Sequence, residues 1–281
     1  MATTLDKRLE QAAPRAVPSK GRRMASGVYT LWLKHMKKFR RSVMEIGGTL
    51  FMPILWMLLF GLSMKGVVKD NPNLSLSTNY VAYMTPGILL LTSLTAAVLG
   101  GSTLLIERTS GVIKEYLIAP VPRLAVLLGT MASSLTKALL QSLLILVLGL
   151  LLGSGLHLNP LALLGGLVLV LVYSLGFVGI AAAAASTARG MESYHTLITI
   201  LNLPVLFLSN ALYPLDKAPA FVAVLAYLNP TTYAVDALRN LFYGINTEIG
   251  MWIDVPVLLA FMVLGVWFGL RTFQKAVANP A

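Results

Sequence analysis

Cysteine is absent from this chain, which excludes disulfides, iron–sulfur clusters and thiolate metal sites. Histidine is scarce. His35, His157 and His195 are scattered, a spacing that argues against a histidine-rich metal centre. Charge is scarce as well: Asp, Glu, Lys and Arg supply 12% of 281 residues, about half the roughly 25% of a soluble domain. No Gly-x-x-x-x-Gly-Lys-Ser/Thr phosphate loop occurs, so nucleotide hydrolysis is not expected of this chain. The first forty or so residues are polar and basic, without a short apolar core leading to a small-residue cleavage site, and no secretory leader is expected. What is abundant is hydrocarbon. Hydrophobic residues make up 57% of the chain and mean hydropathy is +0.77, so lipid must solvate most of the surface.

Six apolar segments, residues 43–63, 81–106, 124–152, 160–186, 194–213 and 253–270, are long enough to cross a bilayer, which takes about 20 residues each. They are apolar all round, whereas barrel strands alternate apolar and polar residues. The expected fold is an all-α integral membrane protein with six transmembrane helices. Lys and Arg crowd the region up to Arg41 and recur at Arg108, Lys114, Arg123, Arg189, Arg271 and Lys275. The other side holds only Lys65, Lys69, Lys217 and Arg239. Cytoplasmic loops are enriched in these residues, so both termini are predicted inside. The same rule accounts for the net charge of +11 without nucleic acid as a partner.

Residues 1–24 read as a flexible cytoplasmic tail containing Pro14 and Pro18, and 276–281 as a second cytoplasmic tail. In 25–41, Val28, Leu31, Trp32, His35, Met36 and Phe39 recur at helical spacing among basic residues. This predicts a helix in the membrane interface rather than a plain continuation of the first span. Its apolar side would face acyl chains, and Trp32, Lys34, Lys37, Lys38, Arg40 and Arg41 would meet the membrane surface. Residues 214–252 are too polar for a span and too apolar for an ordinary loop. Asn229-Pro230 gives a cap followed by proline at the first helical position, and Gly244 suits a C-terminal cap. Two short re-entrant outer helices are expected, over a cavity or a subunit interface. Asp236 and Arg239, three apart, are positioned to pair.

Charged groups at span depth are costly and often functional. Lys137, with Gln141 one turn on, either reaches the interface or a structural hydrogen bond or lines a translocation path. Glu45 is expected to pair with Arg41, four residues before it. Asn202 and Asn210 make the fifth span partly polar, and the small residues of 176–186 predict close helix packing. Asn202, Asn210, Asn229, Tyr233 and Arg239 join Lys137 and Gln141 as candidate pathway or interface residues.

The segment from Glu107 to Arg123 is short, charged and amphipathic between two long apolar runs. Val112, Ile113, Tyr116 and Leu117 share one side of a short helix, and Lys114 and Glu115 face away. Gly111 permits a sharp entry, and Pro120 and Pro122 end the element. The expected form is a rigid foot along the cytoplasmic surface, able to dock a soluble protein, as against a plain loop.

The pattern Glu107-Arg108-x-x-Gly111-x-x-x-x-x-Leu117-x-Ala119-Pro120-Val121-x-Arg123 resembles the signature of the ABC-2 family of ABC-exporter permeases. Tyr83-Met84-Thr85-Pro86-Gly87, Leu228-Asn229-Pro230-x-x-Tyr233 with Arg239, and the six-span layout agree with it. The resemblance covers nearly all of 25–275, which would form one ABC-2 type transmembrane domain. Pro122 and Val112 depart from the pattern, since many relatives carry Ser or Thr at the first and often Thr at the second. The resemblance implies a half-transporter that forms a homodimer, or a heterodimer with a paralogous permease. It implies two copies of a separate cytoplasmic ABC ATPase, which would hold the ATP and Mg. Glu107, Arg108, Gly111, Ile113, Lys114, Glu115, Tyr116, Leu117, Pro120 and Arg123 would then form the coupling helix. The implied function is export of an amphiphilic or lipid-linked substrate from the cytoplasm or inner leaflet, in a bacterial or archaeal inner or plasma membrane. The rivals are a membrane-embedded lipid enzyme, which lacks a clustered acid/base constellation here, and a channel or secondary transporter. The latter would carry more intramembrane charge or inverted repeats. No catalytic residue or metal site is expected.

Overall fold

The computed structural model describes residues 19–63, 80–112, 122–157, 159–213, 215, 219–244 and 249–278. Among these, all regular structure is helical. In chain order the helices are α1 (Lys20–Arg41), α2 (Val43–Ser63), α3 (Tyr80–Thr109), α4 (Arg123–Leu151), α5 (Pro160–Thr187), α6 (Met191–Phe207), α7 (Ala220–Tyr227), α8 (Pro230–Tyr243) and α9 (Met251–Ala278).

Four of these, α3, α4, α5 and α9, are long and apolar enough to cross a membrane. α1 and α2 pass the same test only as a pair, and that pair is bent by 76°. The break falls at Ser42, whose hydroxyl accepts from the Glu45 amide at 3.1 Å and so starts α2 in a new direction. The expected fifth span is a shorter object. Regular helix there covers only the 17 residues of α6, about 26 Å at 1.5 Å per residue, against a hydrocarbon core of about 30 Å. It gives way to irregular backbone at 208–213. Proline within its last turn, Pro204, removes one intrahelical donor.

The core is built around α3. It packs against α4 and α5 most widely, and also meets α2, α6 and α8. The α5–α9 contact is the most extensive of all, and its cause is small residues. Gly176 and Gly179 of α5 lie against Gly265 and Gly269 of α9 so closely that a Cβ on Gly179 would overlap the Gly265 backbone. Backbone approach of this kind is how apolar helices associate where lipid supplies no hydrophobic drive.

Helix α1 starts at Lys20, several residues before the predicted boundary. Gly27, Leu31, His35 and Phe39 recur every fourth residue and are all buried. That stripe lies on α4, where Leu31 touches Gly129. The apolar side of α1 therefore seats on protein rather than on acyl chains alone. Trp32 also turns inward, its Nε1 donating to Thr136 Oγ1 at 3.0 Å. Lys37, Lys38, Arg40 and Arg41 remain exposed.

Two short helices occupy the stretch before the last long helix, α7 and α8, joined by Leu228 and Asn229. Asn229 caps α8 by accepting from the Thr231 amide at 3.0 Å. Gly244 ends α8 with φ of 64°, in the left-handed region that glycine enters without cost.

Candidate functional site

The charged segment can be followed from its base. At the end of α3, Ser110 and Gly111 turn the chain, and Gly111 has φ of +79°. Val112 is the last described residue before the segment, and Pro122 and Arg123 take the chain into α4. Ile113, Lys114, Glu115, Tyr116, Leu117 and Pro120 lie outside the described residues.

Glu107 and Arg108, the first residues of the expected docking element, bond within the protein itself. Lys34 Nζ donates to Glu107 Oε1 at 2.7 Å, and His35 Nε2 lies 3.1 Å from the same oxygen. His35 also reaches Ser133 Oγ through Nδ1 at 3.3 Å. The imidazole thus joins α1, α3 and α4. The Glu107 side chain is 9% exposed and that of Lys34 48%, so the carboxylate is the buried partner and the ammonium its solvated lid. Charge-assisted bonds to a buried carboxylate are among the stronger ones available.

Arg108 turns the other way. Its Nη1 donates to the carbonyls of Ala185, at 2.9 Å, and Ser186, and its Nη2 donates to Ala188 O at 2.7 Å. The last turn of a helix leaves four carbonyls without intrahelical donors. Here one guanidinium serves the end of α5 and adds a cation where the helix dipole favours one. Two successive residues at the base of the charged segment therefore hold α1 on one side and α5 on the other.

A second polar system lies at the opposite end of α3. The Asn229 amide nitrogen donates to Val205 O at 3.0 Å, to Leu208 O at 2.5 Å and to Pro204 O at 3.4 Å, at the end of α6. One side chain thus caps the start of α8 and the end of α6. Tyr233 donates to Tyr227 O at 2.7 Å, tying α8 to α7. Arg239 does not pair with Asp236 as expected. Its guanidinium sits 3.8 Å from the Tyr83 ring centroid and donates to Tyr83 O at 3.2 Å and Asn210 O at 2.8 Å. Tyr83 donates to the same Asn210 carbonyl at 3.2 Å. Asp236 lies instead beside the carboxyl of Asp254, on α9, which is wholly buried. Asn202, by contrast, lines a separate apolar cleft between α2, α3 and α6.

The third system is at span depth. Lys137 Nζ donates to Glu45 Oε1 at 2.6 Å and lies 4.9 Å from the Phe39 ring centroid. One turn on, Gln141 Nε2 donates to Thr49 Oγ1 at 2.8 Å. The expected Arg41–Glu45 pair does not form. Its i, i+4 relation requires one continuous helix, and the helix breaks at Ser42.

Sequence reasoning missed His35 as a junction, Ser133, and the pairing of Glu45 with Lys137. A signal existed for His35 alone: it was the one polar ring on the apolar stripe of α1, and a polar group there needs a partner from the element beneath.

The description "ABC-2 type transporter" belongs to a protein family whose profile matches residues 26–243. The protein named transport permease ycf38 in Pyropia yezoensis is 30% identical over 214 residues, covering 75% of this chain and 72% of its own. The daunorubicin resistance ABC transporter permease protein DrrB1 of Streptomyces coeruleorubidus is 23% identical over 242 residues, 86% of this chain and 82% of its own. The inner membrane transport permease YadH of Escherichia coli K12 is 23% identical over 242 residues, 85% and 88%.

Proposed function

The chain belongs to the ABC-2 type transporter family and is a multi-pass membrane transport permease, and from that premise we propose that it is the transmembrane subunit of an ATP-driven exporter. In this reading, residues 107–123 are the coupling helix and dock a separate cytoplasmic ABC ATPase, present in two copies, which holds ATP and Mg. Ile113, Tyr116 and Leu117 supply the apolar contact, and Lys114, Glu115 and Arg123 the polar one. Both chain termini lie on the same side as this segment, as the distribution of Lys and Arg indicates.

The observation that carries the reading is the pair of opposed grips at the segment's base. A segment serving only to connect α3 and α4 has no need to be tied to α1 and α5 as well. Glu107 bonds Lys34 and His35, and Arg108 bonds the end of α5. Displacement of this base moves three helices together.

The permease works as a homodimer, or as a heterodimer with a paralogue. Exposed apolar residues on α2 and α6, among them Phe51, Leu59, Leu203 and Phe207, support that arrangement. The cleft between these helices contains Asn202, whose Oδ1 is buried without a donor among the described residues. Among the described residues span depth holds one ion pair, Lys137 with Glu45, and otherwise little charge, which favours an amphiphilic or lipid-linked cargo over a free ion. One relative is named for daunorubicin resistance, which keeps drug efflux beside lipid-linked export.

Co-expression of the chain with a candidate ATPase tests the reading. The two should co-purify, with ATPase activity altered by the permease. A Tyr116→Ala/Leu117→Ala pair should abolish co-purification or uncouple hydrolysis from export in vesicles. Intact assembly and intact coupling in that variant would remove residues 107–123 from the docking role.

A further inference from the structure

The bend between α1 and α2 leaves a groove of about 610 Å³ in its inner angle, closed on the third side by α4. Its volume lies within the range of about 300–1,000 Å³ that ligand sites occupy. Its chemistry is graded along its length. At the α1 end stand Lys37 and Arg40, three residues apart on one face, both exposed, and neither in an ion pair among the described residues. Below them the wall is hydrocarbon: Met36 and Phe39 from α1, Ile46 and Leu50 from α2, and Leu140, Leu144 and Val147 along one stripe of α4. From 140 to 147 that stripe descends about 10 Å at 1.5 Å per residue. Gln141 also lines the groove, 2% exposed, and its Oε1 has no donor among the described residues.

We propose that this groove is a binding site for one anionic phospholipid of the cytoplasmic leaflet. The phosphate is held by Lys37 and Arg40, and an acyl chain lies along Leu140, Leu144 and Val147. Cations above and hydrocarbon below match the polarity gradient of such a lipid. A free phosphate leaves the apolar wall unused, and a zwitterionic lipid such as phosphatidylcholine brings its own headgroup cation up to Lys37 and Arg40, which an anionic lipid does not. Basic pockets between membrane helices on the cytoplasmic side are recognised sites for acidic headgroups. The lipid fills the angle beneath α1, and so wedges that helix in place against α4. The inference rests on the reading that α1 lies at the cytoplasmic surface.

The test uses the full chain in mixed micelles with phosphatidylglycerol and phosphatidylcholine of matched acyl chains. Retained lipid is counted by native mass spectrometry. One phosphatidylglycerol per chain should survive an excess of phosphatidylcholine. The Lys37→Gln/Arg40→Gln variant should lower that preference roughly twenty-five-fold, from about fivefold per basic residue near the membrane surface. Leu144→Trp, which fills the apolar wall, should expel the lipid while both cations remain. Val147→Trp serves the same purpose if that variant does not fold. Equal retention of the two lipids overturns the proposal. So does retention unchanged by the groove-filling tryptophan, which means surface attraction only, and so does displacement of the lipid by inorganic phosphate. The Tyr116→Ala/Leu117→Ala variant should keep its lipid, so failure of the coupling reading and failure of this one are told apart.

Discussion

At the scale of single residues, the ion pair of Glu45 with Lys137 shows what intramembrane charge is for in this chain. The Lys137 side chain is 7% exposed and that of Glu45 22%. Removing one partner strands a charge in a medium that cannot solvate it, which costs on the order of 3–5 kcal/mol. Replacing both by apolar residues is often close to neutral. Glu45→Leu and Lys137→Leu should therefore each lower the midpoint of thermal unfolding in detergent, and the double variant should recover most of the loss. A double variant with the full sum of both losses would mean that the two residues act independently. Glu107 follows the same logic with a second supporter: Glu107→Gln should loosen α1, read as faster hydrogen exchange between residues 31 and 39, because Lys34 and His35 both lose their anion.

At the scale of elements, Asn229 is the clearest case of one residue serving two helices. Asn229→Ala removes the cap of α8, about 1 kcal/mol on its own, and also strips the donor from the end of α6. Asn229→Asp keeps the first function and loses the second, since a carboxylate accepts but does not donate. Both variants should lower the unfolding midpoint, and the aspartate should not restore the wild-type value. The local half of this arrangement was legible in the chain. Asn229-Pro230 announced the start of α8 and Gly244 its end, because caps are written within a few residues of the backbone groups they satisfy. The distant half was not. Nothing near Asn229 in sequence points to carbonyls more than twenty residues earlier, and nothing near Arg239 points to Tyr83. Both mispredicted pairs, Arg41 with Glu45 and Asp236 with Arg239, were drawn from same-helix spacing. The first failed on a helix break, and the second on a competing ring and two carbonyls. For residues 107–123, Gly111 marked the turn that follows α3, whereas the inward direction of Glu107 and Arg108 depends on where α1 and α5 come to lie.

At the scale of the whole molecule, the α5–α9 seam carries the largest contact, and glycine carries the seam. Gly179→Leu should prevent its closure, because the obstruction is backbone and has no rotamer by which to yield. Overpacking costs typically about 1–3 kcal/mol where side chains can shift, and the loss here should exceed that, seen as poor recovery of folded protein after extraction. Gly165→Leu is the control. That glycine faces only the flexible end of Leu241, and the variant should be recovered nearly as well as the wild type. The helix at the centre, α3, has a property of a different kind. Its 30 residues run about 45 Å at 1.5 Å each. Its first turns hold Tyr80, bonded to Leu212, and Tyr83, bonded to Asn210 and under Arg239. Its last turn holds Glu107 and Arg108. A rod fastened at both ends has no slack, so the time needed for news to travel from one end to the other is set by rigid-body motion and not by any folding or unfolding in between. Two reporters, one at each end, should then relax with a single shared rate constant.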